Sequence, residues 1–203
     1  ITLHRGDLPP DLDLGPVVAV DTETMGLRPH RDRLCLVQIS AGDGTAHLVQ
    51  FAPGRIDAPI LARLLADPSV LKLFHFGRFD IAVLAHALGV TVRPAYCTKI
   101  AAKLTRTFTD RHGLRDLCRD LIGVEISKTQ QTSDWGLAEL TAEQLAYAAS
   151  DVLYLHRLKA VLDELLARED RTAIAQACFD FLPTRARLDL MAGDEFDVFA
   201  HGA

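Results

Sequence analysis

The stretch "VVAVDTETMGL" (residues 17–27) runs four small or branched apolar residues straight into Asp21, with Glu23 two positions further on. Residues 17–20 read as a buried strand. In a strand, residues i and i+2 point to the same side, so Asp21 and Glu23 present two carboxylates to one spot. Two readings are open at this point. The pair is either an ordinary surface Asp–x–Glu beyond a strand end, or a pair whose repulsion something else must neutralise.

Working outward, "LCLVQIS" (34–40) is enriched in β-branched residues, "GDG" (42–44) signals a turn and "TAHLVQF" (45–51) makes a third strand. Residues 17–51 are therefore predicted to form an antiparallel meander. "APILARLLAD" (58–67) has helical spacing and stops at Pro68, "VLKLFHF" (70–76) reads as a strand, and "FDIAVLAHALG" (79–89) as a helix closed by Gly89. From about 97 onward helices dominate: "CTKIAAKLTRTF", "LRDLCRDLIG", a long one over 141–169 and a last one near 170–182. Thr141 and Gln144 form a capping-box pattern at the start of the long helix. Strands alternating with helices after a meander indicate an α/β fold, a mixed sheet with flanking helices. Residues 183–203 depart from this pattern and read as an extension lying on a surface, with no repeat or linker that would mark a second domain.

The 203 residues suit one large domain, or one domain with an extension. At 49% hydrophobic and 24% charged, the chain can bury a substantial core. No apolar run approaches the roughly 20 residues of a membrane span, and "ITLHRGDLPPDL" lacks the layout of a signal peptide. Cys35, Cys97, Cys118 and Cys178 are scattered, which speaks against a disulfide framework or thiolate metal site and for a cytoplasmic protein. The formal charge of −5 argues against a broad basic surface for long nucleic acid. It leaves room for a short nucleic-acid substrate held by a few contacts and metal ions.

Two more carboxylates bear on the opening pair. Asp80, in "HFGRFDIAVL", falls at the start of a predicted helix, where an acid routinely complements the dipole. Tyr147 and Asp151, in "YAASD", are four apart and share a helical face; a carboxylate on a core-facing stripe is costly unless paired or metal-bound. Each signal is weak alone. Together Asp21, Glu23, Asp80 and Asp151 are four hard oxygen donors able to converge, the kind of set that magnesium or manganese takes. Two such cations would neutralise the cluster and clamp the attacking and leaving oxygens of a phosphodiester.

Strand-borne "DTE", then "FD" on a helix, then "YAASD" resembles the DEDD superfamily of 3′–5′ exonucleases in its tyrosine-containing branch, with the ribonuclease D catalytic domain as the nearest broad group. "ISKTQQTSDW" (126–135) also looks like a stretch of ribonuclease D. The resemblance implies an RNase H-like fold and two-metal hydrolysis releasing nucleoside 5′-monophosphates. By analogy Asp21, Glu23, Asp80 and Asp151 hold the metals and Tyr147 orients the attacking water. Over nearly the whole chain, including the "RARLDL…DVFAH" tail, the pattern is similar to the single-domain nano-RNase C group of bacterial enzymes. That likeness implies cleavage of very short oligoribonucleotides, especially dinucleotides. It also implies a homo-oligomeric ring, an octamer, with residues 184–203 at a subunit contact beside an exonuclease domain of residues 1–183.

Leu27 is placed like the leucine that wedges between bases in short-RNA exonucleases, the alternative being an ordinary core leucine. His75, Phe76 and Arg78 lie near Asp80 in sequence: a base can stack on Phe and Arg can take phosphate. Gln131, Ser133 and Trp135 are donors suited to a terminal phosphate. Of the charges from Lys99 to Arg119, most read as solvated surface, some as lining an entrance or a subunit contact. Two rival functions remain: a ribonuclease D-like exonuclease acting on longer RNA or on DNA ends, and a catalytically inactive RNA-binding adaptor.

Overall fold

The computed structural model describes residues 1–127, 129, 130, 132–192 and 198. Its centre is a six-stranded sheet in the order β1-β4-β3-β2-β5-β6, built from β1 (Thr2–Arg5), β2 (Val17–Thr24), β3 (Leu34–Ser40), β4 (His47–Gln50), β5 (Leu71–Phe74) and β6 (Ala95–Cys97). The predicted meander is present: β2 pairs antiparallel with β3, placing Asp21 opposite Gln38, and β3 pairs antiparallel with β4. Beyond β2 the sheet turns parallel, through β5 and then β6. Every residue of β3 is buried, as a strand covered on both faces must be.

Around the sheet lie α1 (Pro59–Ala66), α2 (Arg78–Leu88), α3 (Thr98–Thr105), α4 (Leu114–Ile122), α5 (Ala142–Leu153), α6 (Leu155–Arg168) and α7 (Thr172–Ala192). The main core joins the sheet to leucines of α1 and α6 and to Phe179 of α7, while a smaller cluster of Cys35, Leu36, Leu48, Trp135 and Ala148 lies between the sheet and α5. Among the described residues, no helix is long and apolar enough to cross a membrane.

Four expectations change. The edge strand β1 and the short β6 are additions; β1 is held by parallel pairing to β4, a long-range contact with no local signature. The long helix over 141–169 is two helices meeting at Tyr154, whose φ of −109° ends α5. Its apolar spacing runs on without glycine or proline, so only packing reveals the break. The last helix continues through Pro183 to Ala192. Its second half is held by the buried Leu182, Ala186 and Asp189. The expected surface extension therefore begins as helix.

Asp189 explains a further difference. Its carboxylate accepts from Nε and Nη2 of Arg78 in α2, the latter at 2.7 Å, and pairs with Arg185 at 3.1 Å. With Asp189 only 6% exposed, removing it would take a buried carboxylate away from two guanidinium groups at the α2–α7 contact. Asp189→Ala is expected to destabilise the protein by about 3 kcal/mol. A lower urea midpoint at unchanged slope checks this; an unmoved midpoint would mean that the pair is dispensable.

Candidate active site

The site sits beyond the carboxyl ends of the parallel strands, where open α/β sheets leave a crevice. Asp21 and Glu23 come from the end of β2, where the register against β3 shifts between Glu23 and Thr24. Asp151 comes from the last turn of α5 and Asp80 from the first turn of α2. Oxygens of Asp21, Glu23 and Asp151 all lie within 4.8 Å of one another. Asp80, 5% exposed, stands against this set, its Oδ1 accepting a 2.7 Å hydrogen bond from Thr22 Oγ1. Gln38 Nε2 donates to Asp21 Oδ2 at 3.4 Å.

These few hydrogen bonds do not offset the crowding. Burial first, and then the charges of Asp80, Asp151 and Glu23, hold the Asp21 carboxyl well above its ordinary range. Glu23 is pushed up to about 9 by burial and by Asp151 and Asp80. Burial also raises Asp80 and Asp151; the Thr22 hydroxyl acts in the opposite sense on the first and the Tyr147 hydroxyl on the second. Tyr147 is itself raised by burial and by the carboxylates around it, so its hydroxyl stays protonated. A set of hard oxygen donors that repel one another this strongly fits a divalent cation.

Asp21, Glu23 and Asp151 line one part of a cleft of about 690 Å³, with the buried Asp80 outside its lining. Leu27 lines it too and is 79% exposed, which removes the core-leucine alternative. Phe76 is 48% exposed at the cleft with φ +66°, a costly backbone for a bulky residue. The turn that imposes it is tight, since a Cβ on Gly77 would meet the Phe74 side chain at 2.6 Å. Lys99 Nζ lies 4.0 Å from the centre of the Phe76 ring. His75 lines the cleft with Nδ1 2.9 Å from Thr98 Oγ1.

Trp135 and Ser133 are brought in by the capping box that the sequence announced. Thr141 Oγ1 accepts from the Gln144 amide at 3.2 Å, and Thr141 N donates to Gln144 Oε1 at 2.9 Å. The other end of Gln144 donates to Ser133 Oγ and to the Asp134 carbonyl. Trp135 packs at 6.1 Å from the Tyr147 ring, and its Nε1–H is buried with no partner among the described residues. Arg78 is the exception: it is outside the cleft lining and is held by Asp189. Gln131 lies outside the described residues. Sequence reasoning missed the site's support, Thr22 and Gln38, which the register opposite Asp21 alone reveals. Of the charges from Lys99 to Arg119, some of them expected to line an entrance, Lys99 and Arg115 line the cleft.

The raised carboxyls fix the sign of a pH effect. Without metal the folded state keeps protons that the unfolded chain loses near the ordinary carboxyl range. Stability therefore falls as pH rises from about 4 and keeps falling through the folded value of about 9 at Glu23. A divalent cation displaces those protons, so its stabilising effect should grow with pH. In thermal melts, magnesium or manganese is expected to raise the melting temperature more at pH 8 than at pH 6. Asp21→Asn should raise the metal-free melting temperature at pH 8 and shrink the metal effect. An equal metal shift at both pH values would contradict this account of the cluster.

Comparison with known proteins agrees with the fold. The 3′–5′ exonuclease domain matches residues 9–167. Brucella melitensis NrnC with bound Mg2+ is 60% identical and superposes with a TM-score of 0.94 over 99% of this chain and 98% of that one. The same Brucella protein bound to pGG gives 60% identity and a TM-score of 0.95 over the same shares. The ribonuclease D of Gluconacetobacter diazotrophicus is 37% identical over 156 residues, 77% of this chain. That match takes in 39% of the relative, so the chain spans about two-fifths of the length of that curated protein. The sheet order and flanking helices are those of an RNase H-like exonuclease, and the chain belongs to the 3′–5′ exonuclease family, in its ribonuclease D and NrnC branch.

Proposed function

We propose that this protein is a 3′–5′ exoribonuclease that degrades very short oligoribonucleotides, dinucleotides above all, to nucleoside 5′-monophosphates. The observation that carries the reading is the exposed Leu27 facing the same cleft as the Asp21–Glu23–Asp151 cluster. A bulky apolar side chain left in water beside a hydrolytic centre gains most by inserting between two bases. Phe76 and Trp135 add aromatic surface to the same cleft. Further support is the likeness over almost the full chain to Brucella NrnC, which has been solved with pGG.

Asp21, Glu23, Asp80 and Asp151 would hold two divalent ions, Mg2+ or Mn2+, which when bound offset the carboxylate charge and polarise the scissile phosphodiester. Tyr147, kept protonated by its surroundings, positions the attacking water rather than taking its proton. Trp135 Nε1–H, Ser133 Oγ, His75 and Gln131 are the groups assigned to the sugar-phosphate of the substrate. Asp21→Asn should abolish hydrolysis. Tyr147→Phe should lower turnover by about 10²-fold with little change in KM. A time course on 5′-labelled RNAs of two to seven nucleotides, beside a long RNA and a DNA duplex, tests the substrate. Faster cleavage of the dinucleotide is expected; equal rates at every length would replace this reading with a ribonuclease D-like exonuclease for longer RNA or DNA ends.

We also propose a cytoplasmic, ring-like homo-oligomer, octameric by the resemblance, with residues 184–203 at its subunit contact beside the exonuclease domain of residues 1–183. The supporting observation is exposed apolar surface along α7 and after it: Ile174, Phe181, Met191 at 80% exposure, and Val198. Phe196 and Phe199 of the same tail lie outside the described residues. Because Asp189 anchors α7 to Arg78, truncation at 184 would also disturb the fold. Met191→Glu is the cleaner test: light scattering should report a lower mass, and a monomeric wild type would end this part of the reading.

A further inference from the structure

The segment that carries Leu27 has a second face. Residues 25–27 line the cleft, while Pro29, Arg31, Asp32 and Arg33 line a separate pocket of about 290 Å³ closed by Gly54, Arg55 and the side of α2 at His86. Three guanidinium groups thus share one concavity with a single carboxylate, in a chain of formal charge −5. Asp32 is engaged by Arg31, with Nε to Oδ1 at 2.6 Å and Nη2 to Oδ2 at 2.9 Å. Arg33 donates to carbonyls, Phe51 O at 3.3 Å and Gly136 O at 3.2 Å, and pairs with no carboxylate among the described residues. Arg55 makes no hydrogen bond or ion pair with the described residues. The floor is apolar, from Ile56, Val83 and Ala87.

Guanidinium groups repel one another unless an anion lies between them, and their forked donors match the oxygens of a phosphate in pairs. We propose that this pocket binds a phosphate monoester, either inorganic phosphate or the phosphate of a nucleoside 5′-monophosphate whose base rests on the apolar floor. The site is distinct from the acidic cleft and does not depend on the substrate assigned to it. It shares a wall with that cleft. A Cβ on Gly26 would meet Asp32 Oδ2 at 2.3 Å, so the two faces of the segment are in direct contact. A ligand on Arg31 and Arg55 would therefore brace the backbone that presents Leu27.

The test is equilibrium dialysis in EDTA with inorganic phosphate, adenosine 5′-monophosphate and adenosine as probes. In EDTA no divalent ion is available to carry a phosphate into the acidic cleft, and Arg115→Ala reports any binding that remains there. Phosphate and the monophosphate should both bind. Arg55→Ala, at an exposed position, should weaken them at least about tenfold, the loss of one charge-assisted fork. Arg115→Ala, in the cleft, should leave them unchanged. Tighter binding of the monophosphate than of phosphate assigns a nucleotide, and equal binding assigns the free anion. No phosphate binding by the folded wild type, binding lost in Arg115→Ala but kept in Arg55→Ala, or adenosine bound as well as its monophosphate would each overturn the proposal.

Discussion

The repulsion among four carboxylates at the end of one strand is the constraint around which the rest of this structure is arranged. Asp21 and Glu23 come from β2, Asp80 from α2 and Asp151 from α5. Three separate elements must hold like charges close together against a force that would part them. Hydrogen bonds from Thr22 and Gln38 relieve a little of the cost. The remainder appears as carboxyl groups that keep their protons far above the usual range. Buried charge is tolerated only when paired or metal-bound, so the fold is built to a geometry that its own side chains do not satisfy.

Bracing at a distance from the carboxylates makes that geometry possible. β3, buried along its length, backs β2 in fixed register. The Arg78–Asp189 pair fixes the start of α2, and with it Asp80, against α7. Gln144 closes the first turn of α5 and at its other end holds the loop of Ser133 and Trp135. Arg33 spans from the Leu27 segment to the carbonyl of Gly136, beside Trp135. The walls of the cleft are thus tied to one another as well as to the sheet.

Much of this could be read from the chain, and the reasons are local. Asp21 and Glu23 follow from a period of two, Tyr147 and Asp151 from a period of 3.6, and the capping box from four residues in a row. What could not be read depends on contacts between distant segments. The break at Tyr154 leaves no mark on the apolar spacing, because α5 packs on the sheet while α6 packs against α3 and α4. Pro183 looked like an end, yet burial of Ala186 and Asp189 carries the helix past it. Arg78 looked like a phosphate ligand because Asp80 is two residues away; its partner is 111 positions further on. Which charges between Lys99 and Arg119 line an entrance could not be read from spacing, because only the sheet order brings the start of α3, just after β6, to the same crevice as β2.

That sheet order also bears on how a nucleic acid would be held. Strands in a sheet lie about 4.8 Å apart, so β6 lies roughly 10 Å across the sheet from β2, and Lys99, at the start of α3 just after β6, lies over the ring of Phe76. Among the described residues lining the cleft, Lys99 and Arg115 are the only Lys or Arg side chains. Two cations release few counterions, and backbone binding to a long strand scales with the number released. On the proposed reading, affinity would come mainly from enclosing bases between Leu27 and aromatic surface, a contribution that stops growing once the enclosed nucleotides are filled. On the reading proposed above, a longer strand would bring added phosphate charge toward an acidic protein without adding grip, so the placement of charge would favour short substrates as much as the shape of the cleft would.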